Sequence, residues 1–198
     1  MALIRLAKPS DARSILDIIA ESNHTPENYP NNGFVEYTAP REWAYRGRIS
    51  STPLIYSAES EGEVVGFLAA YPLSAIWEQT LANDPLVGKL KKRYPQDVYF
   101  DQVAIRREWR EKGIAQNLAH TMHRAATMMG YKGIVGAIYS TPVHNITSAK
   151  FVEALGYTPV GLTQVNGLGF DIYRKTLESQ KDRNARMIKK MFDQALNL

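Results

Sequence analysis

The chain of 198 residues contains no cysteine. That excludes disulfides, thiolate metal sites and a cysteine nucleophile. It fits a reducing compartment, and the location expected is cytoplasmic. Charge of one sign is not in large excess. The 24 Lys and Arg against 20 Asp and Glu leave +4, which suits an anionic ligand but is too weak to argue for nucleic acid. The densest basic run, Lys91-Lys92-Arg93, reads as a solvated helix face. No apolar run approaches the roughly 20 residues of a membrane-spanning helix. The start, Met1-Ala2-Leu3-Ile4-Arg5-Leu6, lacks the basic flank, long apolar core and cleavage site of a signal peptide. There is no internal repeat and no interdomain linker. Neither Gly-x-x-x-x-Gly-Lys-Ser/Thr nor Gly-x-Gly-x-x-Gly after a strand occurs, which argues against a nucleotide switch or kinase.

What is present is an ordinary globular composition, 44% hydrophobic and 22% charged, at a length suited to one well-buried domain. Leu3 to Ala7 reads as a strand, and Asp11 to Glu21 as an amphipathic helix with Ser10 as its cap. The stretch 23–53 is loop-rich and aromatic, with a short helix expected over Arg41 to Arg48. Leu54 to Glu59 and Val64 to Leu73 read as a hairpin turning at Glu61-Gly62-Glu63. The stretch 74–95 reads as a partly helical insertion interrupted by Pro85. Strands follow at Val98 to Arg106, Gly133 to Tyr139, Tyr157 to Val165 and Phe170 to Lys175, the last two joined at Asn166-Gly167. Helices are expected over Gly113 to Met129 and Asn145 to Leu155. The tail, 177–198, has helical spacing and an apolar stripe suited to docking on the domain or to a homodimer contact. The domain expected is 1–176, with 177–198 as an extension.

The segment around which these elements are arranged is Arg110-Glu111-Lys112-Gly113-Ile114-Ala115. It lies between an apolar strand and a helix. The first N–H groups of a helix lack partners within it, and the helix dipole favours negative charge there. Gly113 removes a Cβ that would hinder approach to the backbone. Arg110 and Lys112 add positive charge. The local expectation is a phosphate or pyrophosphate at the start of this helix.

Gln102-Val-Ala-Ile-Arg-Arg-Glu-Trp-Arg-Glu-Lys-Gly-Ile-Ala115, followed by Asn145-Ile-Thr-Ser-Ala-Lys-Phe-Val-Glu-Ala-Leu-Gly-Tyr157, resembles the two signatures of the GCN5-related N-acetyltransferase (GNAT) superfamily. The resemblance implies an α/β (α+β) fold: a central, mixed, mostly antiparallel sheet flanked by helices. It also implies acetyl-CoA as acyl donor, and an unidentified amine is the expected acceptor; no metal, nucleic acid or membrane partner is expected. On this basis Val103, Ala104 and Ile105 would pair with the pantetheine arm. Arg110, Glu111, Lys112, Gly113, Ile114 and Ala115 would hold the pyrophosphate, and Asn145 would contact the arm. A non-catalytic acyl-CoA-binding protein on the same fold is the alternative.

A primary amine of pKa about 10.4 is neutral in less than about one molecule per thousand near pH 7. Its attack on a thioester therefore needs a base. Strict alternation would put Tyr99, Asp101, Val103 and Ile105 on one face unless a bulge intervenes. Asp101 is the expected base, with Glu108 second. Family members often carry a tyrosine acid where this chain has Val152. Tyr139 is taken as the catalytic partner, with Tyr157 and His144 as alternatives. Without cysteine, direct transfer in a ternary complex is expected.

Overall fold

Two residue pairs turn the chain sharply back on itself. Glu61 and Gly62 have φ of 54° and 82°, and Asn166 and Gly167 have φ of 50° and 82°. Two consecutive left-handed residues make the tight hairpin turn whose twist matches that of its strands. These turns join β2 (Ile55–Ser60) to β3 (Glu63–Pro72) and β6 (Thr158–Val165) to β7 (Leu168–Thr176). The computed structural model describes residues 2–22, 40–76 and 84–178. The remaining elements are β1 (Leu3–Leu6), α1 (Ala12–Ser22), α2 (Glu42–Ser51), α3 (Pro85–Arg93), β4 (Asp97–Ile105), α4 (Ile114–Met128), β5 (Gly133–Thr141) and α5 (Ile146–Ala154). The tail helix expected from 177 onwards, much of the 23–53 stretch and part of 74–95 lie outside the described residues.

The strands form one sheet in the order β1-β2-β3-β4-β5-β7-β6. Neighbours run antiparallel except β4 and β5, which are parallel. The parallel pair needs a crossover, and α4 supplies it. One face carries α1, α2 and α3 on a core that includes Ile15, Tyr45, Phe67, Tyr99 and Leu90. The other carries α4 and α5 on a core that includes Leu68, Phe100, Leu118, Met122 and Val152. In α4 the buried residues Ile114, Leu118, Met122 and Ala126 recur every four positions, which puts them in one row facing the sheet.

Three local expectations are revised. Ser10 is not the helix cap. Asp11 closes that turn by accepting from the Lys8 N–H at 2.9 Å, and it is held by Arg5 Nη1 at 2.7 Å and Ser57 Oγ at 2.9 Å. Pro85 does not interrupt a helix. It occupies the first turn of α3, where a missing N–H costs nothing, and the Asp84 carboxylate caps the Leu86 N–H at 2.8 Å. The expected common face of Tyr99, Asp101, Val103 and Ile105 is broken by a bulge. Ala69 pairs with Gln102 while Ala70 pairs with Phe100, so Asp101 is the extra residue. Val103 and Ile105 then turn to the α4 side while Tyr99 stays on the other.

At its base β4 is clamped. Asp97, 2% exposed, receives Arg174 Nε at 2.6 Å and Nη2 at 3.1 Å. Gly133, opposite Asp97 in register, makes room for this pair. A Cβ there would come within 2.6 Å of Arg174 Nη2 and 2.8 Å of Asp97 Oδ2.

A second buried polar contact joins α4 to the start of β6. His123 Nε2 lies 2.8 Å from Tyr157 Oη, and both residues are buried. Burial first, then Lys175 and His120, pull the His123 pKa down to about 4. The folded value lies below the unfolded one, so the stability linked to this group is complete above pH 6.5. It is lost as pH falls through about 4. The expected loss over that window is on the order of 3 kcal/mol. Urea unfolding of wild type and His123→Gln at pH 7 and pH 4 checks this: the variant's stability should depend less on pH.

Candidate active site

The ladder between β4 and β5 covers only Asp97 to Phe100 against Gly133 to Gly136. Beyond it β4 continues on β3 alone, and β5 continues on β7 alone. The strands part where Asp101 bulges. Backbone N–H and C=O groups of Val103, Ala104 and Ile105 on this side have no ladder partner in β5. A polar backbone edge left this way needs another partner, and an extended arm carrying amides is one that fits.

The chain leaves β4 through a 3-10 turn, Arg107–Trp109, and enters α4 through Arg110 to Gly113. Arg110 Nε donates to the Ile105 carbonyl at 3.1 Å, tying the turn to the strand end. Lys112 Nζ lies 4.5 Å from the centre of the Trp109 ring, a cation–π contact that folds its stem over the turn. Glu111 and Gly113 have φ of 62° and 73°. Left-handed backbone at a non-glycine residue costs about 1 kcal/mol, so this turn holds a strained shape. The first helical bond is Asn117 N–H to Gly113 C=O at 3.1 Å. The N–H groups of Ile114, Ala115 and Gln116 precede it, a cluster of donors at a helix start. Nothing lies within 4 Å of where a Gly113 Cβ would stand, so the space over the turn is open.

Asn145 caps α5, its Oδ1 accepting from the Ser148 N–H at 3.1 Å. Its own N–H donates to the Tyr139 carbonyl at 2.9 Å. These bonds fix the loop between β5 and α5 and bury Asn145 at 5% exposure. Glu108, the second candidate base, is exposed in the 3-10 turn.

Asp101 faces the α2 side. Its Oδ2 is shut off from solvent and has no hydrogen-bond partner among the described residues. Burial pushes its pKa up to about 6; Arg48 and the Tyr99 hydroxyl oppose the rise, and Asp84 adds to it. Burial, then Asp101 and Asp84, push Tyr99 far upward, so it stays a neutral hydroxyl. Arg48, 8% exposed on α2, and Tyr71 on β3 complete the surroundings. Sequence reading did not single out Arg48, Tyr71 or Asp84. Arg48 could have been noticed as the position one turn after Tyr45 on a helix that turns its apolar side inward.

Tyr139 lies on the same sheet face as Asp101, its ring edge-on to Phe170 at 5.6 Å. Tyr157 is withdrawn from acid chemistry by burial and by its bond to His123. Val152, where family members often carry a tyrosine, is 4% exposed in the core. His144 Nε2 lies 3.4 Å from Asp171 Oδ2.

Comparison with known proteins identifies the family that shares this architecture. The profile of the acetyltransferase (GNAT) family matches residues 15–157. The chain belongs to this family. An N-acetyltransferase from Staphylococcus aureus Mu50 superposes with a TM-score of 0.61 at 21% identity, covering 90% of this chain and 99% of that one. The phosphinothricin acetyltransferase of Sinorhizobium meliloti, crystallised with AcCoA, gives 0.63 at 21% identity, covering 91% of each chain. Ard1 from Thermoplasma volcanium gives 0.64 at 12% identity, covering 90% of this chain and 99% of that one. At these identities the likeness concerns the fold. No curated protein matches the chain by sequence. Among the described residues no helix is long and apolar enough to cross a membrane.

The raised Asp101 pKa has a consequence for stability. The stability linked to this group is complete below the ordinary carboxylate value of 3.8 and lost as pH rises through about 6. At pH 7 the ionised, half-partnered carboxylate therefore works against the fold. Asp101→Asn should stabilise the protein at pH 7 by up to about 3 kcal/mol and give no gain at pH 3.5. Chemical denaturation at the two pH values measures both.

Proposed function

We propose that this protein transfers an acetyl group from acetyl-CoA to a primary amine by direct attack in a ternary complex. The observation that carries this reading is the bulged Asp101, a carboxylate of raised pKa, where β4 leaves β5. The roles follow from placement. Val103, Ala104 and Ile105 offer backbone partners for the pantetheine amides along the parting. Gly113, Ile114 and Ala115 offer N–H groups to the pyrophosphate. Arg110 supports the turn, Glu111 and Lys112 shape it, and Asn145 holds the α5 end of the groove.

The donor supplies an activated thioester; the chain's own residues deliver and deprotonate the amine. An ammonium ion entering from the α2 side meets Asp101, which is ionised above pH 6. Tyr71, Tyr99 and Tyr139 give the approach rings and hydroxyls on the same face. Asp101, directly or through a water molecule, takes the proton that the nitrogen must lose as it bonds to the carbonyl carbon. A base with a pKa near 6 is better matched to this task at neutral pH than an ordinary surface carboxylate.

Thiol release from acetyl-CoA across a panel of amines tests the reading. With an accepted amine, kcat/KM should fall below about pH 6, reporting the base in the free enzyme. Asp101→Asn should lose roughly 10²-fold or more in kcat/KM and with it the acid limb. Release that survives the substitution would remove Asp101 from the chemistry. CoA binding without release to any amine would favour a non-catalytic binding protein. Gly113→Ala provides a separate check on the turn. The added methyl meets no neighbour, so the stability loss should stay near the ~1 kcal/mol of left-handed backbone. The Kd for CoA, measured by calorimetry, should rise roughly tenfold, a larger free-energy effect than the methyl has on the fold.

A further inference from the structure

Acyl transfer moves two protons, and Asp101 accounts for only one. When the tetrahedral adduct collapses, the C–S bond breaks and its electron pair stays on sulfur. α5 offers no hydroxyl at Val152, and Tyr157 is tied to His123. We infer that His144 gives the departing sulfur its proton, oriented by Asp171, a role that rests on the acyl-transfer reading above.

His144 ends the loop that follows β5 and stands immediately before the Asn145 cap. The chain that follows it is pinned: Asn145 N–H donates to Tyr139 C=O, and Ile146 N–H to His144 C=O, both at 2.9 Å. Asp171 on β7 pairs in register with Ile138. Its neighbours Phe170 and Ile172 pack on the α2 side, so alternation turns Asp171 to the α4–α5 side. The 3.4 Å contact between His144 Nε2 and Asp171 Oδ2 places the imidazole on that same side. His144 therefore sits on the face opposite Asp101, at the open end of the β4–β5 parting. Its side chain is 43% exposed and that of Asp171 21%, so the ring reaches solvent while its orienting carboxylate is largely covered. The arrangement is a proton carrier held by a third group.

The balance is complete. The amine nitrogen bonds to the acetyl carbon and releases a proton to Asp101. The C–S pair goes to sulfur, which takes a proton from His144 Nδ1 while Nε2 stays against Asp171. Solvent returns a proton to His144 and removes one from Asp101. The products are the amide and the free thiol.

Contact with sulfur can be tested without knowing the acceptor. Ring ¹⁵N signals of His144, assigned by their loss in His144→Gln, would be followed as CoA or desulfo-CoA is added. Desulfo-CoA carries hydrogen in place of the thiol. The expected result is a shift with CoA that desulfo-CoA does not reproduce and that Asp171→Asn weakens. Equal shifts with both ligands, or none while the Gly113 and Ile114 amides move, would overturn the inference and leave the acyl-CoA site standing. No movement at either place would overturn both. With an accepted amine, His144→Gln should lower kcat roughly tenfold or more while KM for acetyl-CoA changes little. Added imidazole should restore part of the rate in His144→Gly, which a merely structural role would not allow. Unchanged kcat in His144→Gln would also overturn the assignment.

Discussion

β4 and β5 are held together at one end and separated at the other, and the site depends on this contrast. At the closed end a buried carboxylate, Asp97, is gripped by Nε and Nη2 of Arg174, and Gly133 leaves the room that pair needs. A buried ion pair is an uncertain source of net stability but costs several kcal/mol when broken. Its contribution here is to fix register: Asp97 must stand opposite Gly133, within reach of Arg174 on β7. At the other end nothing draws the strands together. The bulge at Asp101 adds a residue to β4, and the parallel ladder ends after Phe100. Bulges commonly bend a strand and redirect a side chain near functional sites. This one stands where a polar edge opens and turns a carboxylate to the face that carries α2.

That redirection sets the electrostatics. A carboxylate in strict alternation would have shared the α4 side with Val103 and Ile105. One extra residue instead places it among Arg48, Tyr99, Tyr71 and Asp84. Burial raises its pKa, and the nearby guanidinium limits the rise, so the group is ionised at neutral pH yet remains basic. The same partial compensation makes the position unfavourable for the fold. Strain at Glu111 in the turn that opens α4 is a smaller example of the same compromise.

Features governed by local chemistry were legible in the sequence. The Glu61-Gly62 and Asn166-Gly167 turns, the buried stripe of α4, the glycine entering it and the Asn145 cap depend on residues within a few positions of one another. The mixed sheet flanked by helices and the family followed from two motifs in the right sequence. Features set by distant partners were not legible. The bulge depends on how Ala69 and Ala70 of β3 meet β4. The role of Pro85 depends on Asp84 being free to cap. The surroundings of Asp101 come from α2, β3 and the residue before α3, which no spacing rule connects. Asp171 is one polar position within a strand, and only the tertiary fold brings it to His144. The apolar stripe of 177–198 and most of the aromatics of 23–53 lie outside the described residues.

The parting also divides the proposed chemistry between the two faces of the sheet. Asp101 and Tyr139 belong to the α2 side, whereas Asn145, His144 and Asp171 belong to the side of α4 and α5. An acceptor arriving on one face and a donor lying along the other would meet only where the sheet is open. A single residue could not then take the proton from nitrogen and return it to sulfur, as one histidine does in a serine-protease triad. Two groups are needed, one on each side, and each must suit a different task. The nitrogen must lose its proton to a base that is ionised but not strongly acidic. The thiolate, whose conjugate acid has a pKa near 8.5, needs only a modest donor with access to water. A shielded carboxylate and a half-exposed imidazole held by a carboxylate meet those separate requirements, so the loss of the tyrosine at position 152 need not leave the leaving group without a proton.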